Sequence, residues 1–345
     1  MTVFKVGLSA DFLKPNGQPA FPMFDLSPLV NAPGIELAYV PVTDSRIQAA
    51  DIKGYDALIL LGARFDADSH PGDGRLALIA RFGVGYDTVD VDACTANEVA
   101  LVITPDGVRR PVAVAILSMM LALSSKLLLK DRLARQGSTG WAQRADYMGD
   151  GLIGRTLGSI GLGNIGAELF RMAQPLQMRF IACDPYADKS VAKELGIELV
   201  DLTNLFRQSD FLAVNCPFSP ETDKLVNAER LALMKPSAYL INTARGPIVD
   251  ETALVDALVS GKIAGAALDV FEVEPSGADN PLFQLDNVIV SPHALSWTDQ
   301  CFSGIGVDDV AAALAVSKGE IPVGIVNKEI VDNPGWLNKL SNFAG

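Results

Sequence analysis

Three glycines spaced Gly161-Leu162-Gly163-Asn164-Ile165-Gly166, with an acid further on at Asp184, say most about chemistry in this chain. A Gly-x-Gly-x-x-Gly run suits the pyrophosphate of a dinucleotide. The first glycine permits a tight turn, the second lets the backbone approach the phosphates, and the third lets a helix pack closely on a strand. A carboxylate at the distance of Asp184 can accept the hydroxyls of an adenosine ribose and would repel a 2′-phosphate. Only two histidines are present, His70 and His293. His293 follows Ser291-Pro292 at the end of a predicted strand, where open α/β sheets place their sites, and an imidazole there suits proton transfer near neutral pH. His70 lies in Ser69-His70-Pro71-Gly72 and reads as a solvated loop residue.

The glycines need a strand before them and a helix after them. Thr156–Ile160 reads as a short buried strand, 167–176 as a helix and Arg179–Cys183 as a second strand, so the motif sits at the turn a dinucleotide fold requires. Val3–Leu8, Ile35–Pro41, Ala57–Leu61 and Val99–Ile103 are further strands upstream. Leu212–Asn215, Tyr239–Asn242, Gly265–Leu268 and Val288–Val290 follow downstream. Strands alternating with helical patterns predict parallel α/β layers. Thr104-Pro105-Asp106-Gly107 reads as a boundary turn, with a long apolar helix over Val112–Leu129 and Pro111 in its first turn. Residues 135–151 read as a polar loop carrying Trp141. The tail from Ile321 reads as irregular.

At 345 residues the chain can form two domains, and its net charge of −13 argues against nucleic acid or an anionic membrane as partner. No secretory signal pattern opens the sequence. The run Val112–Leu123 is too short to span a bilayer. Cys94, Cys183, Cys216 and Cys301 lack metal-ligand spacing. They read as free thiols of a cytoplasmic protein that holds no metal.

Beyond Asp184 the sequence resembles the D-isomer-specific 2-hydroxyacid dehydrogenase family. Asn242-Thr243-Ala244-Arg245-Gly246-Pro247-Ile248-Val249-Asp250, then Ala267-Leu268-Asp269-Val270-Phe271-Glu272-Val273-Glu274-Pro275, then Ser291-Pro292-His293 carry the resemblance. Met234-Lys235-Pro236 and Arg81-Phe82-Gly83-Val84-Gly85-Tyr86-Asp87 match it too, and it spans residues 3 to 327. The resemblance implies two Rossmann-like, doubly wound α/β domains with a cleft between them. One is a discontinuous, flavodoxin-like substrate domain over 1–108 and 297–345, the other an NAD-binding domain over 109–296. It also implies a homodimer.

By the same resemblance, Arg245, Glu274 and His293 are the catalytic residues, with Glu274 hydrogen-bonding the imidazole. Arg245 stays cationic, and its fork matches a carboxylate or a developing alkoxide. Cofactor contacts are expected at Gly161, Gly163, Asn164, Ile165, Gly166 and Asp184. Further contacts are expected at Cys216, Pro217, Thr222, Thr243, Ala244, Arg245, Asp269 and His293. Val84 and Gly85 are expected to hold the substrate carboxylate through main-chain N–H groups, with Arg64, Arg245 and His293 completing the substrate site. The expected reaction is reduction of glyoxylate or hydroxypyruvate by NADH. Two alternatives stand beside it: oxidation of a larger polyhydroxy or phosphorylated acid read by Arg64, Arg109 or Arg110, and an NAD-binding regulatory scaffold. The chain departs from the family pattern at Arg109, Arg110 and Val114, and at bulky Leu295 and Trp297. Glu274 argues against the formate dehydrogenase branch, which pairs the histidine with glutamine. Phe65 and Trp297 are open between core packing and substrate contact, and whether Trp141 reaches a partner subunit is left open by the sequence.

Overall fold

A computed structural model describes residues 3–344. By internal contacts the chain divides into two compact units. One takes the chain up to Val108 and again from Trp297 onward, and the other is Arg109–Ser296.

The first unit is built on a five-stranded sheet of β1 (Phe4–Ser9), β2 (Ile35–Val40), β3 (Ala57–Leu60), β4 (Leu78–Arg81) and β5 (Ala100–Ile103). Every pairing is parallel and the order is β2-β1-β3-β4-β5, the flavodoxin-like order. β3 is buried throughout (Ala-Leu-Ile-Leu), as a parallel strand covered on both faces must be.

The second unit carries seven parallel strands: β6 (Thr156–Ile160), β7 (Arg179–Cys183), β8 (Ile197–Leu199), β9 (Phe211–Val214), β10 (Tyr239–Asn242), β11 (Gly265–Leu268) and β12 (Val288–Val290). Their order is β8-β7-β6-β9-β10-β11-β12. The chain runs outward from β6 to β8 and then returns to β9 on the other side of β6. The switch point therefore lies between β6 and β9, where such sheets bind ligands beyond the carboxyl ends of their strands.

The structure corrects several sequence expectations. The helix predicted over Val112–Leu129 runs over Pro105–Ser125, with Pro111 inside it. Pro105 and Asp106 start a helix rather than a turn, since proline suits the first helical position and an acid the first turn. Gly107 is there for close approach: a Cβ on it would come within 2.3 Å of the Ile305 nitrogen, where helix Asp299–Ser317 crosses. By length and composition this first helix could cross a membrane, but half of its apolar window is buried. Ala113, Ile116, Met119, Met120 and Leu123 pack with Leu157 and Phe170 in the core of the second unit. The helix stops where Lys126 takes a left-handed conformation, and Leu127–Arg135 starts afresh. Residues 135–151 hold a short helix, Ser138–Ala142, with Trp141 exposed and Arg144 over its ring at 4.8 Å.

The tail is ordered rather than irregular. Helix Pro334–Phe343 starts from Asn333, whose side chain accepts from the Gly335 and Trp336 N–H groups. Trp336 is fully buried and donates to the Ala77 carbonyl at 2.9 Å. Lys339 donates to the carbonyls of Leu76, Asn97 and Glu98 at 2.8–3.0 Å. These bonds tie the tail to the chain entering β4 and β5. Trp336→Ala is expected to destabilise the first unit by about 3–5 kcal/mol, the usual range for truncating a buried large aromatic. A denaturation midpoint equal to wild type would contradict that anchoring.

His70 is not solvated as expected. It is half-buried, edge-on to Phe65 at 4.8 Å, and its Nε2 is buried without a hydrogen-bond partner among the described residues. Burial first, then the Lys339 charge, push its pKa down, against Asp90 and Asp66. A histidine harder to protonate when folded contributes stability at neutral pH. That contribution is lost as pH falls below the unfolded value near 6.5, where the unfolded chain takes up the proton first. The denaturation midpoint should therefore drop between pH 7.5 and 5.5, and His70→Gln should make the drop shallower. An unchanged pH dependence in the variant would assign the effect elsewhere.

Candidate active site

The glycine loop leaves β6 at the switch point. Gly161 has φ +96°, and a Cβ there would meet the Asn215 carbonyl carbon at 2.9 Å, beside β9. A Cβ on Gly166 would lie 2.7 Å from the Gly161 carbonyl oxygen. At Gly163 it would meet nothing within 4 Å, so the backbone there faces open space. Gly163 precedes helix Asn164–Ala173 and brings no side chain to its first N–H groups. An uncapped helix start behind a bare glycine is a place for a phosphate.

Asp184 ends β7. Its Oδ2 accepts from the Leu162 N–H at 2.7 Å and its Oδ1 from the Tyr186 N–H at 2.8 Å. A carboxylate offers about four acceptor sites, so hydroxyls can still bind it while it braces the glycine loop. Pro185-Tyr186 brings no cation beside it.

Around the switch point, Cys216 is half-buried, and burial pushes its thiol up to about 11. The Thr222 hydroxyl donates to the Pro217 carbonyl at 2.8 Å and accepts from the Ser219 N–H at 2.8 Å. It therefore ties the loop after β9. The Thr243 hydroxyl oxygen is buried without a partner among the described residues. An orphaned buried hydroxyl, a bare helix start and an acid at the strand end all fit a bound dinucleotide.

Beyond β10, the buried Asn242 side chain clamps the turn. Its Nδ2 donates to the Arg245 carbonyl at 2.9 Å, and its Oδ1 accepts from the Ala244 N–H at 3.0 Å. Arg245 donates to the Ala244 carbonyl at 2.7 Å. A Cβ on Gly246 would collide with the Phe271 carbonyl at 1.8 Å. The segments carrying Arg245 and Glu274 thus touch backbone to backbone.

Glu274 Oε1 accepts from the Phe271 N–H at 2.9 Å, and its Oε2 lies 2.8 Å from His293 Nδ1. Burial works against the Glu274 carboxylate. The His293 bond and charge, the Phe271 N–H and the Arg245 charge outweigh burial and hold its pKa below the usual range. With Nδ1 on Glu274, Nε2 is the nitrogen left for other work. His293 has φ +52°, and the backbone after it is pinned by Asp269. That buried carboxylate accepts from Ala294 N–H at 3.0 Å and Leu295 N–H at 3.2 Å. The sequence casts Asp269 as a cofactor contact, and the structure adds its grip on the histidine segment.

In the first unit, Val84 and Gly85 follow β4. Neither N–H donates a hydrogen bond among the described residues. Thr104, which sequence reasoning passed over, fixes that loop. Its hydroxyl accepts from the Gly83 N–H at 3.0 Å and donates to the Gly83 carbonyl at 3.2 Å. Arg64 leaves β3 exposed, while Phe65 is fully buried and is core. Trp297 is half-exposed, edge-on to Phe21 at 5.4 Å. Arg110 is paired with Glu168 at 2.8 Å, and Glu168 also holds Arg171 at 2.8 Å. Arg110 is thereby occupied within the second unit.

The sequence model of the D-isomer specific 2-hydroxyacid dehydrogenase NAD binding domain matches residues 117–294. The chain belongs to this family. A glyoxylate reductase of Korarchaeum cryptofilum is 37% identical over 282 residues, covering 81% of this chain and 85% of that protein. A D-3-phosphoglycerate dehydrogenase of Methanocaldococcus jannaschii is 38% identical over 278 residues, covering 80% of this chain but only 52% of that longer protein. The crystal structure of a glyoxylate reductase from Paecilomyes thermophila superposes with a TM-score of 0.80 at 25% identity, covering 95% of this chain and 100% of that one. The protein is an NAD-dependent D-2-hydroxyacid dehydrogenase, and its second unit holds the family's NAD-binding domain.

Asp184 predicts the choice between the two nicotinamide dinucleotides. Its charge opposes a 2′-phosphate, so kcat/KM should favour NADH over NADPH at least tenfold, about 1.4 kcal/mol. Asp184→Ser should narrow that gap. Equal wild-type kcat/KM for both cofactors would contradict it.

Proposed function

We propose that this dehydrogenase reduces a small 2-oxo acid, glyoxylate or hydroxypyruvate, to the 2-hydroxy acid with NADH. The observation that carries the reading is the 2.8 Å contact between Glu274 and His293 in the same unit as Arg245 and the glycine loop. Bound NADH supplies the hydride to the carbonyl carbon. His293 Nε2 gives the proton to the carbonyl oxygen and recovers one from solvent. Glu274 orients the ring. Arg245 draws electron density from the carbonyl and pairs with the carboxylate. In the first unit the N–H groups of Val84 and Gly85, which donate no hydrogen bond among the described residues, are suited to a carboxylate, and Thr104 keeps their loop in place. With Arg110 held by Glu168, one fewer cation is available to read a distal phosphate.

The deciding experiment is a panel of 2-oxo acids assayed by NADH loss, with D-3-phosphoglycerate oxidation alongside. Glyoxylate and hydroxypyruvate should give the highest kcat/KM. A tenfold preference for the phosphorylated acid would overturn the substrate assignment.

We also propose a homodimer. Leu127, Leu128, Trp141, Met148 and Ile153, all in one stretch of the second unit, are at least half exposed. Apolar surface of that kind is usually covered. Light scattering at micromolar protein should give twice the chain mass, and a monomer would contradict it.

A further inference from the structure

The segment after β1 builds a cavity of about 580 Å³ within the first unit, lined by Phe12, Phe21, Phe24, Lys14, Gln18 and Tyr39 among others. Its size lies within the ordinary range of small-molecule sites. Pro19, Pro22, Leu8 and Leu26 complete the wall, so it is mostly apolar. Lys14 is its one charged lining residue, with no acid to neutralise it and no ion pair for Lys14 among the described residues. Lys14 stands on a short hairpin: its N–H donates to the Gln18 carbonyl at 2.8 Å, and Gly17 turns the chain at φ +77°. The hairpin thus brings together the two polar residues, Lys14 and Gln18, that line an otherwise largely aromatic and apolar cavity.

We propose that this cavity binds a small aromatic monocarboxylate, one ring with a short acidic arm. The ring would lie among the phenylalanines and prolines, and the carboxylate would meet Lys14 and Gln18. Within a chain of net charge −13, an unpaired lysine at an apolar cavity favours an anion over a neutral ligand of the same shape. The same rings reach the substrate loop. Phe12 packs edge-on to Phe82 at 5.1 Å and Phe24 lies 4.8 Å from it, and Gly83-Val84-Gly85 follows directly. An occupant thus bears on the support of the two N–H groups that the proposed reaction uses. The binding claim itself does not depend on that reaction.

The test is calorimetric titration of the whole protein with phenylacetate, compared with phenylacetamide, its neutral counterpart. Phenylacetate should bind with a Kd of about 0.1–1 mM, in keeping with a ligand of about ten heavy atoms. Phenylacetamide should bind at least about fivefold more weakly, and Lys14→Met should weaken phenylacetate by a similar factor. Lys14 is exposed, so its replacement leaves the core intact. Arg245→Gln should leave phenylacetate binding unchanged. No binding up to 10 mM (about tenfold above the weakest Kd expected), equal affinity for the amide, or full affinity in Lys14→Met would each overturn the proposal. Loss of binding in Arg245→Gln would overturn it too, by assigning the ligand to the reaction site.

Discussion

Replacing His293 with glutamine is expected to lower kcat by about two to four orders of magnitude, the usual contribution of a positioned acid/base. NADH affinity should change little, because the glycine loop, Asp184 and the bare start of helix Asn164–Ala173 are untouched. Glutamine can still hydrogen-bond but cannot deliver a proton. Turnover within tenfold of wild type would mean that another group supplies it. Glu274→Gln separates proton delivery from orientation. His293, the Phe271 N–H and Arg245 outweigh burial and hold the Glu274 pKa low, so its carboxylate is set to hold the His293 ring through Nδ1. Glutamine at 274 keeps an amide oxygen that can accept from Nδ1, so Glu274→Gln should lower kcat by less than His293→Gln does. A kcat for Glu274→Gln as low as that of His293→Gln would contradict an orienting role for the contact seen at 2.8 Å.

Arg245→Gln carries the second large effect. A fixed cation aimed at a developing alkoxide contributes about two to three orders of magnitude in kcat/KM. KM for the 2-oxo acid should rise as well, since the role proposed for the same fork is to pair with the carboxylate. Arg245→Lys should recover only part of the loss, because a point charge cannot make the bidentate contact. The main-chain clamp by Asn242 holds residue 245 whatever its side chain, so loss of fold is not the expected cause. Circular dichroism and NADH binding should match wild type. Activity of Arg245→Gln above one-tenth of wild type would remove it from the reaction.

Much of the fold was legible because it rests on local rules. Parallel strands buried on both faces read as short apolar runs, and the glycine triplet marks the turn after β6. The family motifs name Glu274 and His293, and the structure gives their distance. What stayed hidden depends on contacts far apart in sequence. The motif makes Asp269 a cofactor contact, but its grip on the N–H groups of residues 294 and 295 shows only in the fold. Thr104 looks like a turn former until its hydroxyl bridges Gly83. Gly107 suggests a loop because its reason is the helix that crosses it. His70 looks solvated because nothing nearby in sequence announces Phe65 or Lys339. The tail did carry a signal, Asn333 before Pro334, a helix start that its polar composition masked.

Chiral analysis of the product formed from hydroxypyruvate and NADH tests the central claim most directly. The account predicts stoichiometric loss of NADH and formation of D-glycerate alone, abolished together by His293→Gln. Formation of L-glycerate, or no NADH oxidation with any small 2-oxo acid, would contradict it.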